Sequence, residues 1–246
     1  MASSDAEMSF WDHLDVLRGT LARSLAAILA ATAVVFAFKQ FVFDRILLAP
    51  SGSDFFLYRW LGIDFSMDLI NTDISAQFFI HLRTSFALGA IIVFPYVCFE
   101  VWKFIAPGLY EKEKAAVRKA FGFAGLLFYV GLAVGYCLVL PVTLNFFQGY
   151  SVSDSVVNTI TLSSYISMLT SMVLLLGIVF EFPAVIAVLS NMGLVSRRTL
   201  KGLRKYAVVI ILVLAAIITP ADPFSMLVAA LPLYGLYELS IITCRS

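Results

Sequence analysis

The chain has 246 residues, 61% of them hydrophobic and 13% charged, against about 25% charged in a soluble domain. Too little polar surface remains to wrap a water-exposed globule, so the composition excludes a soluble fold and points to an all-α integral membrane protein. A net charge of +1 excludes a global field that would draw nucleic acid or acidic ligands.

The N-terminal stretch from Met1 to Trp11 holds Asp5 and Glu7 but no Lys or Arg, the wrong start for a cleaved secretory leader. The first apolar run is therefore expected to stay in the membrane. Ser9-Phe10-Trp11-Asp12 reads as a helix start, with Ser9 as cap. Phe10, Leu14, Leu17 and Leu21 then share one face. A short surface helix feeding the first span gives that pattern, and so does a plain helical lead-in.

Six spans are expected, at about residues 20–43, 77–104, 115–148, 163–192, 206–221 and 224–237. Together they make one polytopic domain over 1–246. Between Lys39 and Arg83 lies a segment too polar to span, with Pro50, Asp54, Asp64, Asp68 and Asp73 among Tyr58, Trp60 and several Phe. It reads as an extracytoplasmic cap folded on the membrane surface. The last two spans are expected to be short, about 21–24 Å against a hydrocarbon core of ~30 Å, with Pro-flanked Asp222 submerged between them.

Two connecting segments carry most of the positive charge. One holds Lys103, Lys112, Lys114, Arg118 and Lys119; the other holds Arg197, Arg198, Lys201, Arg204 and Lys205. The bias in Lys and Arg makes both cytoplasmic, and with six spans both termini as well. The two halves are not inverted copies, which weighs against a secondary transporter.

Glu181 is the sharpest single residue. It sits in Phe180-Glu181-Phe182-Pro183, deep in an otherwise uncharged span. An acid at that depth is costly and functional by default. Pro183 cannot donate to the Val179 carbonyl, which leaves a polar patch beside the carboxyl. A protonated Glu bonded to that patch is the plain structural alternative. The stretch from Trp102 to Lys114 sets an aromatic rim (Trp102, Phe104, Tyr110) and the Pro107-Gly108 turn beside Glu111 and Glu113. Carboxylates there could take guanidinium groups bidentately, whereas a solvated interfacial loop would show the same spacing. Gly131-x-x-x-Gly135 marks a face for close helix packing.

His13 and His81 are read as ordinary interfacial residues. Cys98, Cys137 and Cys244 form neither a disulfide framework nor a metal spacing. No nucleophile, zinc or phosphate motif is found, so neither an enzyme nor a bound cofactor is expected.

These residues, taken in order, resemble the twin-arginine protein translocase subunit family TatC. The resemblance spans nearly the whole chain. It rests on His13-Leu14-Asp15-Val16-Leu17-Arg18, Ala49-Pro50, Val101 to Tyr110 with Glu113, Phe180 to Pro183, and Thr219 to Ser225. It implies an inner-membrane receptor for signal peptides bearing paired arginines. It also implies export of folded proteins driven by proton-motive force, with single-span TatA- and TatB-like partners and assembly into a homo-oligomer. By resemblance Phe104 and Glu113 belong to the signal-peptide site, and Glu111, Pro107, Tyr110 and Arg18 are expected to complete it. Glu181 is the intramembrane acid, and Pro50 and Asp222 are further motif positions. The chain departs from the family twice: Val16 replaces an expected Glu, with Asp15 one residue earlier, and Glu100 stands where Gln is expected. An ion-coupled transporter using Glu181 and a passive scaffold are the competing functions.

Overall fold

The computed structural model describes residues 10–63, 65–108, 111–153, 155, 159–220 and 222–244, and most of them are helical. Helix α1 (Phe10–Ala37) passes without a break from the amphipathic start into the first span. The lead-in and the span are therefore one helix, and the Ser9 cap lies outside the described residues. A single turn α2 (Lys39–Phe41), a π-helical turn at Val42–Leu47 and a 3-10 turn at Ala49–Ser51 then lead to α3 (Phe56–Leu61). Gly62 closes α3 in the left-handed region (φ 66°), where a Cβ would be strained.

Strand β1 (Leu69–Ile70) precedes α4 (Ala76–Ile105), and a 3-10 turn at Ala106–Gly108 leads to α5 (Glu111–Val134). A π turn at Gly135–Val139 joins α5 to α6 (Leu140–Gly149). Pro141 has no N–H for the carbonyl four residues back, and the wider turn lies where that bond is missing. Strand β2 (Ile160–Thr161), α7 (Leu162–Val179), α8 (Phe182–Asn191), α9 (Arg197–Ile218) and α10 (Pro223–Thr243) complete the chain.

The segment after α1 folds into a cap, because its free carbonyls find donors on the bundle. Tyr165 donates to Leu47 O at 2.8 Å, Tyr136 to Ile46 O, and Tyr58 to Pro50 O at 3.1 Å. Burial pushes the Tyr58 phenol well above its usual range, so it stays a donor. Phe55 and Phe65 are buried beside Tyr58. Strands β1 and β2 pair in parallel, Leu69 with Ile160 and Ile70 with Thr161, which ties the cap to the segment before α7.

Small residues set the helix crossings. A Cβ on Gly89 would lie 2.8 Å from the Thr32 backbone nitrogen, so α1 and α4 meet nearly backbone to backbone. A Cβ on Gly131 would lie 2.6 Å from Phe180 Cβ and 2.8 Å from the Leu176 carbonyl oxygen, and Gly135 abuts Val173. The expected glycine face on α5 thus packs on α7. Leu140, Met172, Leu176, Ala215 and Ala229 form the fully buried centre.

Gly131 near Phe180 and Gly135 near Val173 make α5 antiparallel to α7. The stack of His13 on Phe104 makes α1 antiparallel to α4. Together with the Arg204–Glu238 ion pair at 2.7 Å, these contacts put both basic segments, the start of α1 and the end of α10 at one end of the bundle.

Among the described residues, five helical stretches are long and apolar enough to cross a membrane: His13–Ala37, Ala76–Gly108, Val117–Gly149, Leu162–Asn191 and Pro223–Thr243. Helix α9 is absent from that set because its first turns carry Arg197, Arg198, Lys201, Arg204 and Lys205. Its apolar part begins only at Tyr206. The expectation that both final helices are short fails for α10. It has 21 residues, about 32 Å. It continues past Tyr237 because its polar residues are satisfied locally. Glu238 pairs with Arg204, and the Ser240 and Thr243 hydroxyls donate to the Leu236 and Leu239 carbonyls.

Gly131→Ala should lower thermal stability in detergent by roughly 1–3 kcal/mol, because a backbone carbonyl cannot yield to the new methyl. At Gly122 a Cβ meets nothing within 4 Å. There the same change should be neutral or stabilise by about 0.5–1 kcal/mol through helix propensity. Equal melting shifts for the two variants would show that the α5–α7 contact is looser than described.

Candidate functional site

The basic end of the α1–α4 pair gathers the densest set of polar and aromatic side chains. Glu100, Lys103 and Phe104 share one face of α4 at spacings of three and one. His13, Thr20 and Arg23, spaced seven and three apart, share the face of α1 that meets them. The His13 ring stacks on Phe104, with centroids 4.3 Å apart and planes at 29°. One helical layer deeper, Arg23 directs both Nε and Nη2 at Glu100 Oε2, at 2.8 and 2.7 Å. Arg23 Nη2 also reaches Thr20 Oγ1 at 3.4 Å.

Lys103 Nζ lies 3.5 Å from the other oxygen, Glu100 Oε1, and 4.5 Å above the Phe99 ring. Glu100 is only 2% exposed, whereas Arg23 and Lys103 are 52% and 54% exposed. A buried carboxylate is thus closed off by two half-exposed cations. A carboxylate in such a place is sustained only by close partners.

The structure brings Phe104 and Pro107 to this end, with Pro107 exposed in the turn that follows α4. Trp102 turns to α5 and contacts Phe121, with centroids 5.7 Å apart. Arg18 is exposed on α1, well off the face holding His13 and Arg23. Val16 is on that face, and Asp15 is rotated from it by about 100°. Tyr110 lies outside the described residues, as do the side chains of Glu111 and Glu113, whose backbone opens α5.

Glu181 stands apart from this cluster. Helix α7 stops at Val179, and α8 restarts at Phe182 with Pro183 in its first turn. The break leaves Glu181 at the N-cap of α8. Its Oε1 is buried without a hydrogen-bond partner. The residue lines an apolar cavity of about 250 Å³ between α4, α5 and α8, with Cys98, Val101, Phe121 and Ala124. Asp222 is at the other end of α10. Its Oδ1 caps that helix by accepting from Ser225 N at 2.6 Å, while Oδ2 is buried without a partner. Pro50 is buried in the cap, its carbonyl held by Tyr58.

Sequence reasoning missed Arg23 and the role of His13. A signal was present: Arg23 and Glu100 are opposite charges at similar depth in two consecutive apolar helices. His81 was likewise read as interfacial, yet it stacks on Phe36 at 3.8 Å and holds the far end of the same helix pair.

The family profile described as Sec-independent protein translocase protein (TatC) matches residues 12–232. The chain belongs to the TatC family. It is 36% identical to the Sec-independent protein translocase protein TatC of Blattabacterium sp. subsp. Periplaneta americana, over 98% of this chain and 96% of that protein. It is 37% identical to the TatC of Desulforapulum autotrophicum, over 100% of this chain and 87% of the relative. The crystal structure of the twin arginine translocase receptor TatC in DDM superposes with a TM-score of 0.79 at 33% identity, covering 95% of this chain and all of that one. The chain is accordingly a multi-pass protein of the inner membrane and a component of Sec-independent protein translocation. As a TatC protein it belongs to a translocase rather than to an enzyme family.

Proposed function

We propose that this TatC protein is the receptor subunit of its translocase and binds Arg-Arg signal peptides at the basic end of the bundle. The observation that carries the reading is the meeting of Phe104, His13 and the buried Glu100 on the α1–α4 face. An aromatic margin over a carboxylate suits a peptide that sets arginines beside apolar residues. In this reading Glu113 and Glu111, whose backbone opens α5, are further carboxylates for the peptide, and Tyr110 and the exposed Arg18 belong to the same site. The signal peptide of a folded cargo protein is the ligand.

In this reading the chain is one domain with six spans. Helix α9 is the fifth, paired antiparallel with α10 through Arg204–Glu238 and the bond from Tyr237 to Leu200 O. The excess of Lys and Arg places the basic end and both termini in the cytoplasm. The tyrosine-latched cap with Pro50, and the hairpin at Asp222, then face outward. TatA- and TatB-like single-span proteins and further copies of the chain complete an assembly driven by proton-motive force. Glu181, with one carboxyl oxygen left without a partner, is the docking point for a partner's membrane helix, because a polar side chain entering its apolar cavity would bring a further hydrogen bond to the carboxyl.

Two outcomes follow. Glu113→Ala should weaken binding of an Arg-Arg signal peptide to the detergent-solubilised protein by about tenfold. A Lys-Lys peptide should lose much less, because an ammonium lacks the planar fork. Equal losses for the two peptides would make Glu113 a structural residue of the α5 start. Glu181→Gln should retain partner co-purification and Glu181→Ala should lose it; undiminished capture by the Ala variant would remove Glu181 from the partner surface.

A further inference from the structure

The polar cluster under Phe104 has an unused half. Both donors of Arg23 converge on Glu100 Oε2, at 2.8 and 2.7 Å, and so leave Oε1, among the described residues, with Lys103. That contact is long, 3.5 Å, and comes from a residue one turn along the same helix. An ammonium at that distance is a weak partner beside a guanidinium at 2.7 Å. Lys103 also has somewhere else to rest, since its Nζ already lies 4.5 Å above the Phe99 ring.

Counted together, Glu100, Arg23 and Lys103 carry one net positive charge. A third cation can approach Glu100 favourably only if one of the two leaves. The geometry selects Lys103: it is half exposed, weakly bonded, and supplied with an aromatic face to retreat to.

We propose that Glu100 Oε1 is a seat for one guanidinium of the signal peptide, kept closed by Lys103 until an arginine displaces it, with Arg23 fixing the carboxylate in place. The inference rests on the receptor reading above and specifies one subsite of it. It also assigns a purpose to the acid at position 100. Val16 puts an apolar residue on the α1 face that meets Phe104, and Asp15 is turned away from it. Glu100 presents a carboxylate from the facing helix.

The test is binding of Arg-Arg and Lys-Lys signal peptides to the full-length, detergent-solubilised protein at fixed salt. Lys103→Gln should tighten the Arg-Arg peptide by about threefold to tenfold. The gain should be smaller for Lys-Lys and absent when Glu100→Gln is already in place. Lys119→Gln removes an exposed cation of the same basic segment and controls for a general loss of positive charge; it should change binding by less than twofold. Glu100→Gln alone should weaken the Arg-Arg peptide by about tenfold, and melting curves of both Glu100 and Lys103 variants register any fold defect separately.

Lys103→Gln that leaves Arg-Arg binding unchanged, or tightens it equally in the Glu100→Gln background, overturns the seat while Glu113-dependent, Arg-selective binding leaves the receptor reading intact. A wild-type protein that does not discriminate Arg-Arg from Lys-Lys overturns both.

Discussion

Close approach of α1 and α4 is what the rest of the site depends on. The contact is possible because residue 89 has no side chain, so the Thr32 backbone can sit where a Cβ would be. Helix α1 packs chiefly against α4. The crossing at Gly89 therefore fixes what meets at both ends: His81 with Phe36 toward the cap, and Arg23 with Glu100 and His13 with Phe104 toward the basic loops. The ion pair and the two stacks hold a helix that has no other large partner. They also place the half-exposed cations and aromatic rings on a single face, the one proposed to bind the peptide.

Elsewhere the bundle follows the rule that a bilayer leaves no water to satisfy polar groups. Several hydroxyls within the helices bond back to their own turns, Thr32 to Ile28 O, Thr84 to Ile80 O, Thr143 to Val139 O and Ser240 to Leu236 O, while those of Ser24, Ser85, Thr170 and Ser225 are buried without a partner among the described residues. Where the chain leaves α1, Tyr136 and Tyr165 of the bundle and Tyr58 of the cap itself take up the freed carbonyls. Against that background, the side-chain atoms left unsatisfied stand out. Glu181 lines an apolar cavity and its Oε1 is buried without a partner, and Asp222 Oδ2 is buried beside its capping oxygen. An acid kept in such a position costs stability, which is why a docking role is proposed for Glu181 and not for its satisfied neighbours. Asp222 has a local reason to be there as the α10 cap, and its family-motif status needs no further function to explain its burial.

Much of this was legible in the sequence, because membrane spans announce themselves by length and hydropathy. The four long central stretches and the glycine face of α5 follow from composition and spacing alone. The end of α10 was not legible: Glu238, Ser240 and Thr243 look like the close of a span, yet each is satisfied by a partner or by its own helix. Nor could spacing reveal that Arg23 and Glu100 meet, since 77 residues separate them. Phe104 and Pro107 lie where their spacing puts them, in the last turn of α4 and the turn after it. What sequence could not supply was the neighbour: His13 was read as a bystander, and only the antiparallel crossing stacks it on Phe104.

The central claim is that α1 and α4 form a single peptide-binding face at the basic end. A photo-reactive amino acid placed in turn at Phe104, at Val16 and at Ile74 addresses it directly. Ile74 is fully exposed just before α4, at the opposite end of that helix. In membranes carrying an Arg-Arg signal peptide, Phe104 and Val16 should both capture the peptide and Ile74 should not. Capture from Ile74 as efficient as from Phe104, or capture from Phe104 with none from Val16, would contradict a site shared by the two helices.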